Sequence, residues 1–316
     1  MKKELRIVFL GTPDFAVENL KALVEDGQNI VGVITAPDKP AGRGRKIQET
    51  AVKQYATKQN LFLMQPTNLK DEAFIEELKA LNADLQIVVA FRMLPEKVWD
   101  MPKLGTFNLH ASLLPQYRGA APINWAIMNG EKETGVSTFF LQHKIDTGNI
   151  IFQEKVEITE NMNVGELHDK LMFLGAKLVV ETIHSIVEEN IKETVQKDFP
   201  EHELKFAPKI FKEDCLINWG KDIEDIHNHI RGLSPYPTAW TEISNKKLKI
   251  FKSIIIKEQH KKEIGEIVSD KKEYLKIAVN SGFIQIEELQ LEGKKRMIIK
   301  DFLRGFQNTD LPKFIV

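Results

Sequence analysis

The first half of the chain alternates between short apolar runs and stretches with helical spacing. The apolar runs predict buried strands at residues 5–10, 30–34, 61–64, 84–90 and 107–110. Helical spacing, with apolar residues every three or four positions, covers residues 15–24, 74–81 and 164–189. Buried strands separated by helices predict an α/β domain whose mainly parallel sheet is covered on both faces. Ligands of such sheets bind at the carboxyl ends of the strands, here the loops after residues 10, 34, 90 and 110.

The pattern changes near residue 190. Residues 191–208 are polar, lack periodicity and contain two prolines, which predicts a linker between domain 1–190 and domain 209–316. Beyond it, one helical pattern precedes several short β-prone runs, at residues 248–251, 264–268, 275–279 and 283–286. Closely spaced short strands with turn residues between them predict a small β-barrel.

Composition narrows the class of protein. A length of 316 residues with 42% hydrophobic residues favours two globular domains. The only cysteine, Cys215, cannot form an internal disulfide, which favours a reducing, cytoplasmic compartment. The basic start is followed by an apolar run that ends at Gly11, too early for an export signal, and no run approaches the length of a membrane span.

Charge is nearly balanced over the chain but not along it. Residues 1–208 carry 24 Lys and Arg against 29 Asp and Glu, a net −5, whereas residues 209–316 carry 20 against 16, a net +4. The basic, glycine-rich segment 37–46 follows the second predicted strand and contains Arg43, Arg45 and Lys46. Such a segment suits a phosphate backbone, although a solvated loop is the alternative. The same two interpretations apply to the basic run Lys294, Lys295 and Arg296.

Asn108 and His110 are the leading candidates for chemistry. They are two residues apart on a predicted strand, so their side chains leave the same face, at the strand's carboxyl end. An Asn amide can stabilise a developing oxyanion, and a His can donate, accept or carry a proton. The pair therefore suits nucleophilic addition to a carbonyl group, with a structurally bonded histidine as the alternative.

Asp146 opens an Asp-Thr-Gly turn between two apolar runs. Such a turn often has only a structural role, because Asp caps its own loop. Alternatively, a buried carboxylate beside a histidine orients the ring and stabilises its charged form. The sequence leaves both interpretations open.

Two classes of site are disfavoured. The first strand-to-helix turn, residues 11–14, has one glycine where a dinucleotide fingerprint needs three. His227 and His229 are two apart in a helical pattern and point to different faces, and no cysteine lies at zinc-ligand spacing. We therefore expect neither a nicotinamide site nor a metal site.

Longer motifs resemble those of folate-dependent formyltransferases. Residues 107–115 read Phe-Asn-Leu-His-Ala-Ser-Leu-Leu-Pro, residues 117–122 read Tyr-Arg-Gly-Ala-Ala-Pro, and Asp146-Thr147-Gly148 follows. In that family Asn, His and Asp, in this order, form the catalytic set. The opening residues 11–16, the segment 37–44 and several C-terminal segments resemble the branch that formylates methionyl initiator tRNA: residues 207–210, 213–214, 230–233, 235–240 and 293–297.

The resemblance covers nearly the whole chain and implies a Rossmann-like catalytic domain and an OB-like barrel that helps to hold tRNA. It implies Asn108, His110 and Asp146 as catalytic residues and 10-formyltetrahydrofolate as co-substrate, without a metal. The implied folate contacts are Ser112, Leu113, Leu114, Pro115, Phe91, Arg92 and Ile145. The implied tRNA contacts are Arg43, Arg45, Lys46, Lys294, Lys295 and Arg296. A monomer without membrane contact is expected.

Two segments depart from the family pattern. Phe91-Arg92 stands where the family has Tyr-Gly, and residues 141–145 read Leu-Gln-His-Lys-Ile where it has Met-Asp-x-Gly-Leu. Three other functions remain as alternatives: formylation of an amino sugar nucleotide, RNA binding on an inactive enzyme scaffold, and hydrolysis of the folate. The basic segment 37–46 and the C-terminal resemblance argue against the first, and the intact Asn-His-Asp set argues against the second. The third would share the folate site but would need no basic C-terminal domain.

Overall fold

A computed structural model describes residues 4–41, 46–196, 201–305 and 311–315, without the side chains of Ala41, Lys46 and Glu201. The chain divides into two compact units. Unit 1 comprises Met1–Gly119, Thr134–Val156 and His168–Lys205, and unit 2 comprises Ala120–Glu133, Glu157–Leu167 and Phe206–Val316.

The helices are α1 (Asp14–Glu25), α2 (Ala51–Lys58), α3 (Glu72–Ala80), α4 (Glu96–Trp99), α5 (Pro122–Met128), α6 (Val164–Val187), α7 (Ile223–Gly232) and α8 (Ile299–Arg304). The strands of the first half are β1 (Arg6–Gly11), β2 (Asn29–Ile34), β3 (Lys39–Ala41), β4 (Lys46–Gln48), β5 (Leu63–Met64), β6 (Leu85–Val89), β7 (Thr106–His110), β8 (Arg118–Gly119), β9 (Glu133–Phe140) and β10 (Ile150–Glu157). Those of the second half are β11 (Phe206–Ala207), β12 (Ala239–Ile243), β13 (Lys246–Ile256), β14 (Ile267–Ser269), β15 (Leu275–Val279), β16 (Gly282–Leu291) and β17 (Met297–Ile298).

A seven-stranded sheet organises unit 1, in the order β10-β9-β7-β6-β1-β2-β5. The pairs β7–β6, β6–β1, β1–β2 and β2–β5 are parallel, whereas β9 runs antiparallel to β7. The mainly parallel α/β sheet that the apolar runs predict is confirmed.

Burial explains why the central strands form as they do. Ile7, Val8, Phe9 and Leu10 are all fully buried, as a strand covered on both faces of its sheet requires. Helix α1 supplies part of this cover through its buried side chains, which include Phe15, Leu20 and Leu23. The apolar side chains that fix the strand order therefore also fix which loops share the sheet's carboxyl edge.

Four loops meet at this edge because β2, β1, β6 and β7 are adjacent and parallel. They follow Ile34, Gly11, Val89 and His110. Ala90, directly after β6, has φ of +47°, an uncommon conformation for a residue with a side chain. The chain thus turns sharply as it leaves β6 towards Phe91 and Arg92.

Unit 2 contains an antiparallel sheet in the order β12-β13-β16-β15-β14, with β17 paired to β16. Its core includes Ile226 and Ile230 of α7 and Leu248 and Ile284 of the sheet. The predicted C-terminal β domain is confirmed. The predicted strand 248–251 is the middle of the longer β13, and β12 has no counterpart among the predicted elements.

Helix α5 belongs to this second unit although it lies early in the chain. It packs against α7, where a Cβ atom on Gly232 would come within 2.6 Å of Cγ of Met128. The side-chain amide of Asn124 donates a hydrogen bond of 2.8 Å to the carbonyl of Gly232. The close approach of the two helices therefore depends on the absence of a side chain at residue 232.

Within the described residues, no helix has the combination of length and apolar character that crossing a membrane requires.

Candidate active site

Strand β7 places the two leading candidates at the sheet's carboxyl edge. Asn108 lies between Val88 of β6 and Phe139 of β9, and His110 pairs with Ser137. Asn108 is half-buried, and the side chain of His110 is 7% exposed. Because side chains alternate along a strand, the Asn108 amide and the His110 ring lie on one face, as predicted.

The main chain orients the imidazole of His110. Its Nε2 atom lies 2.8 Å from the carbonyl oxygen of Tyr117. A carbonyl can only accept, so Nε2 carries the hydrogen and donates it. The other ring nitrogen, Nδ1, is then the atom that exchanges protons. Tyr117 itself has φ of +61°, which aims its carbonyl back at the ring.

Asp146 approaches the same ring from another loop. Its Oδ2 atom lies 4.0 Å from Nδ1 of His110, and its side chain is 13% exposed. Oδ2 also accepts a hydrogen bond of 3.0 Å from the main-chain N–H of Gly119. Asp146 has φ of +53°, a conformation in which Asp is several-fold enriched. The structure therefore brings Asn108, His110 and Asp146 into one site within unit 1.

Gln196 holds the turn at Asp146 in place through hydrogen bonds to its main chain. Its Nε2 atom donates to the carbonyls of Asp146 and Gly148, at 2.9 and 2.8 Å. Its Oε1 atom accepts from Nε and a terminal nitrogen of Arg118, at 3.1 and 2.6 Å. Sequence reasoning missed Gln196, because it lies in a polar stretch interpreted as linker. In the structure the residues before it continue along unit 1, where Thr194 forms a bridge with Ile150.

Only glycine fits at position 148. A Cβ atom at this position would lie 1.6 Å from the carbonyl oxygen of Phe140 and 3.4 Å from the Phe139 ring. No side chain fits between this turn and the end of β9. The glycine of the Asp-Thr-Gly motif therefore lets the turn lie against β9 and present Asp146 to His110.

Hydrogen bonds within the loop after His110, and from β9 and β10, hold the loop in place. Ser112 is fully buried, and its hydroxyl donates to the carbonyl of Gln116 at 2.7 Å. The hydroxyl of Ser137 donates to the carbonyl of Ser112 at 2.6 Å and accepts from the N–H of Leu114. Gln153 adds a hydrogen bond of 3.0 Å to the carbonyl of Leu114. These contacts tie the loop to β9 and β10.

The implied folate residues divide by exposure. Leu114 is buried in an apolar cluster with Phe139 and Ile150, whereas Leu113 and Pro115 are half-buried. Phe91 packs against a different apolar cluster, beneath the carboxyl edge of β6. The side chain of Ile145 is 59% exposed.

The side chain of Arg92 points away from the loop of residues 112–115. Its guanidinium donates to the carbonyls of Pro66 and Thr67, in the loop after β5. Burial lowers the pKa of Arg92.

The implied tRNA residues have different surroundings. Arg43 and Arg45 lie outside the described residues, as does the side chain of Lys46. Lys294 and Lys295 are exposed in the turn between β16 and β17. Arg296 instead forms two hydrogen bonds with the carboxylate of Glu288, at 2.7 and 2.5 Å, and its guanidinium lies 4.2 Å from the centroid of the Phe251 ring.

Over the described ranges, no group of three or more His, Cys, Asp or Glu side chains is placed to hold a metal ion. The functional groups of the site are an amide, an imidazole and a carboxylate. Together they can bind an oxyanion and move a proton.

Comparison with known proteins agrees with this geometry. The formyl transferase family matches residues 5–183, and the formyl transferase C-terminal domain matches residues 209–307. A methionyl-tRNA formyltransferase of Bacteroides thetaiotaomicron is 59% identical over 317 residues, covering 98% of each chain. One from Flavobacterium johnsoniae is 54% identical over 315 residues, covering 98% of this chain and 99% of the relative.

Among solved structures, the N-formyltransferase from Helicobacter canadensis, in complex with folinic acid and dTDP-3-aminofucose, superimposes with a TM-score of 0.68. It is 22% identical and covers 93% of this chain and 100% of its own, a likeness of fold alone. The two domain matches and the near full-length relatives show that the chain belongs to the formyl transferase family.

Proposed function

We propose that this chain transfers the formyl group of 10-formyltetrahydrofolate to the α-amino group of methionyl initiator tRNA. The observation that carries the proposal is the meeting of Asn108, His110 and Asp146 at the carboxyl end of β7, with Nδ1 of His110 4.0 Å from Asp146. The names of the near full-length relatives support the choice of substrate.

In the proposed reaction the uncharged amine attacks the formyl carbon, forming a C–N bond and placing negative charge on the formyl oxygen. The Asn108 amide and a charged His110, donating through Nδ1, stabilise that oxygen. Loss of one such donor costs about 3–4 kcal/mol of transition-state stabilisation. The bond from carbon to folate N10 then breaks, N10 takes up a proton, and the attacking nitrogen loses one.

The carboxylate of Asp146 stabilises the positive charge on His110 and takes the amine proton directly or through water. The Gly119 N–H and the Gln196 amide fix its position before substrate binds. Preorganisation of this kind matters because groups already oriented need no rearrangement as charge develops.

We assign the folate to the loop that runs from Ser112 to Pro115. Ser112 and Leu114 are buried and hold the loop's shape, so the half-buried Leu113 and Pro115 provide the contact surface. Phe91, the main chain at Arg92, and Ile145 complete the folate site. Exposed apolar side chains such as Ile145 are a surface that a pterin ring would cover.

We assign the tRNA to domain 209–316 and to the basic segment with Arg43, Arg45 and Lys46. Lys294 and Lys295 offer exposed charge, whereas Arg296 supports their turn through Glu288 and Phe251. Domain 1–190 carries the chemistry, and residues 191–208 connect the two domains and also supply Gln196 to the Asp146 turn. The chain would act as a monomer in the cytoplasm, beside the translation apparatus that uses its product.

The decisive experiment measures formyl transfer from 10-formyltetrahydrofolate to methionyl initiator tRNA. Free methionine and uncharged initiator tRNA serve as controls. Product on charged initiator tRNA alone is expected. Folate turnover that needs no tRNA would reject the proposal in favour of a hydrolase, and transfer to an amino sugar nucleotide would reject it in favour of a sugar formyltransferase.

A further inference from the structure

A cleft of about 590 Å³ opens at the carboxyl edge of the sheet, and its lining includes Ala90 and Arg92 but none of residues 112–115. Its walls come from the carboxyl-edge loops of β1, β2, β5 and β6. The lining residues that carry polar groups into it are Thr12, Asp38, Lys39, Thr67 and Arg92. A cavity of this size accommodates a nucleotide.

The lining of the cleft carries the cations Lys39 and Arg92 and the carboxylate of Asp38. Arg92 donates only to the neutral carbonyls of Pro66 and Thr67, and no carboxylate of a described residue pairs with it. Its Nε–H is buried and has no hydrogen-bond partner within the described ranges. An arginine that is partly withdrawn from water without a carboxylate partner is costly unless an anion completes its shell.

The one carboxylate in the lining is paired. Asp38 accepts hydrogen bonds from Lys53 and, at 2.9 Å, from the side-chain amide of Gln65, and these contacts lower its pKa. Lys53 also forms an ion pair of 2.9 Å with Glu49, so its charge is shared between two carboxylates. Arg92 is therefore the lining cation that no carboxylate of a described residue satisfies.

The position of the cleft decides which substrate uses it. The folate loop is bonded to Ser137 of β9 and Gln153 of β10, on one flank of β7. The cleft lies on the other flank, over β6, β1, β2 and β5, one to four strand spacings or roughly 5–20 Å from the strand of His110. Because the folate is assigned to the first flank, this flank is left for the substrate that brings the amine.

We propose that Arg92, with Lys39, binds the phosphate immediately 5′ to the terminal nucleoside of the aminoacylated RNA. The chain leaves this cleft at Lys39 and continues into the basic segment assigned to tRNA, which is why RNA is chosen over the carboxylate tail of folate. The inference rests on the proposed function and adds a contact within it. In this inference the guanidinium of Arg92 binds the RNA phosphate, whereas the main chain at Arg92 belongs to the folate site.

The test is a double-mutant cycle that combines one substitution in the protein with one change of linkage in the RNA. An acceptor-stem hairpin ending in CCA, carrying methionine through a stable 3′-amide, is made in two forms. In one form every linkage is a phosphate, and in the other the last linkage is an uncharged methylphosphonate. Dissociation constants are measured for the wild type, Arg92→Gln and Arg92→Lys.

The wild type should bind the neutralised hairpin about tenfold more weakly, the effect of losing one charge-assisted hydrogen bond. Arg92→Gln should bind both hairpins equally, at the weakened level, and Arg92→Lys should keep part of the difference. Arg6→Gln is the matched control. Arg6 also donates to a main-chain carbonyl, that of Leu81, but lies at the amino end of β1.

Equal binding of both hairpins by the wild type would overturn the inference even if Arg92→Gln failed to fold. Full sensitivity retained in Arg92→Gln would overturn it as well, and so would an unchanged RNA affinity combined with a raised KM for 10-formyltetrahydrofolate. Each result leaves wild-type formyl transfer intact. Failure of the proposed function is distinct, because it would appear as absence of wild-type transfer.

Discussion

Nδ1 of His110 and Oδ2 of Asp146 lie 4.0 Å apart, a separation longer than a hydrogen bond. The Nε2 side of the ring is already bonded to the carbonyl of Tyr117. The gap between imidazole and carboxylate is therefore on the side where a substrate amine or its proton can enter. In the proposed reaction the two groups have separate roles in charge stabilisation and proton transfer.

Removing the amide of Asn108 should take away one of the two proposed donors to the oxyanion without unfolding the protein. We expect Asn108→Ala to lower kcat by roughly 100- to 1,000-fold, with smaller changes in KM for either substrate. Single-turnover formyl transfer measures this effect. Asn280→Ala, which removes an exposed amide bonded to the carbonyl of Gly220, is the control. A near wild-type rate in Asn108→Ala would remove Asn108 from the mechanism.

Gln196 should act on the rate through Asp146 and not through substrate binding. Gln196→Leu leaves two carbonyls and the Arg118 guanidinium without this partner. We expect a loss of about 1–3 kcal/mol in the free energy of unfolding. A roughly tenfold fall in kcat should accompany it, since small misplacements of catalytic groups have effects at least this large. A change confined to KM for tRNA would contradict this role.

Gly148→Ala tests the close approach of the Asp-Thr-Gly turn to β9. A Cβ atom 1.6 Å from the carbonyl of Phe140 forces the turn outward. The expected cost is about 1–3 kcal/mol in chemical denaturation, with loss of activity as Asp146 moves from His110. Gly220→Ala is the matched control, because its Cβ would meet only the side chain of Asn218, at 3.2 Å. Equal stability of the two variants would contradict the packing argument.

Two histidines of α7, the buried His227 and the half-buried His229, should make unit 2 sensitive to acid. Burial, with a smaller contribution from Arg231, lowers the pKa of His227, whereas Glu160 acts in the opposite direction. The ring also lies 3.0 Å from the Ser253 hydroxyl. Burial likewise lowers the pKa of His229.

Below about pH 6.5, the unfolded chain binds protons at these rings that the folded chain excludes. The free energy of unfolding should therefore fall as pH falls, by up to about 1.4 kcal/mol per pH unit for each ring. Urea denaturation at pH 7.5 and 5.5 measures this slope. His227→Gln should reduce it, and His202→Gln, an exposed histidine, should leave it unchanged. Identical slopes in both variants would show that His227 does not contribute.

The turn between β16 and β17 provides a test of tRNA binding. Replacing Lys294 and Lys295 by Gln should weaken binding of all tRNA sequences alike. The slope of log K against log[salt] should fall by up to about two, because each lysine would neutralise one phosphate. Arg296→Gln should instead lower stability, since it removes the ion pair with Glu288. An unchanged salt dependence in the double variant would exclude this turn from the RNA surface.

The sequence by itself determined the fold class and the reaction class. Short apolar runs such as residues 5–10, ended by turn residues, favour strands covered on both faces, and their alternation with helical stretches indicates the α/β class. The two-residue spacing of Asn108 and His110 at a strand end placed both on one face, because strand geometry has a period of two. The long motifs around Asn108, His110 and Asp146 are specific enough to identify the family, because they extend over many consecutive residues.

Tertiary structure decided what depends on residues distant in sequence. The orientation of His110 comes from the carbonyl of Tyr117, and that of Asp146 from Gly119 and Gln196, which is 50 residues away. No local pattern records such contacts, because main-chain hydrogen bonds carry no residue signature and a lone Gln in a polar stretch resembles any other. The direction of the Arg92 guanidinium, towards the loop after β5, was likewise set only by which strands became neighbours.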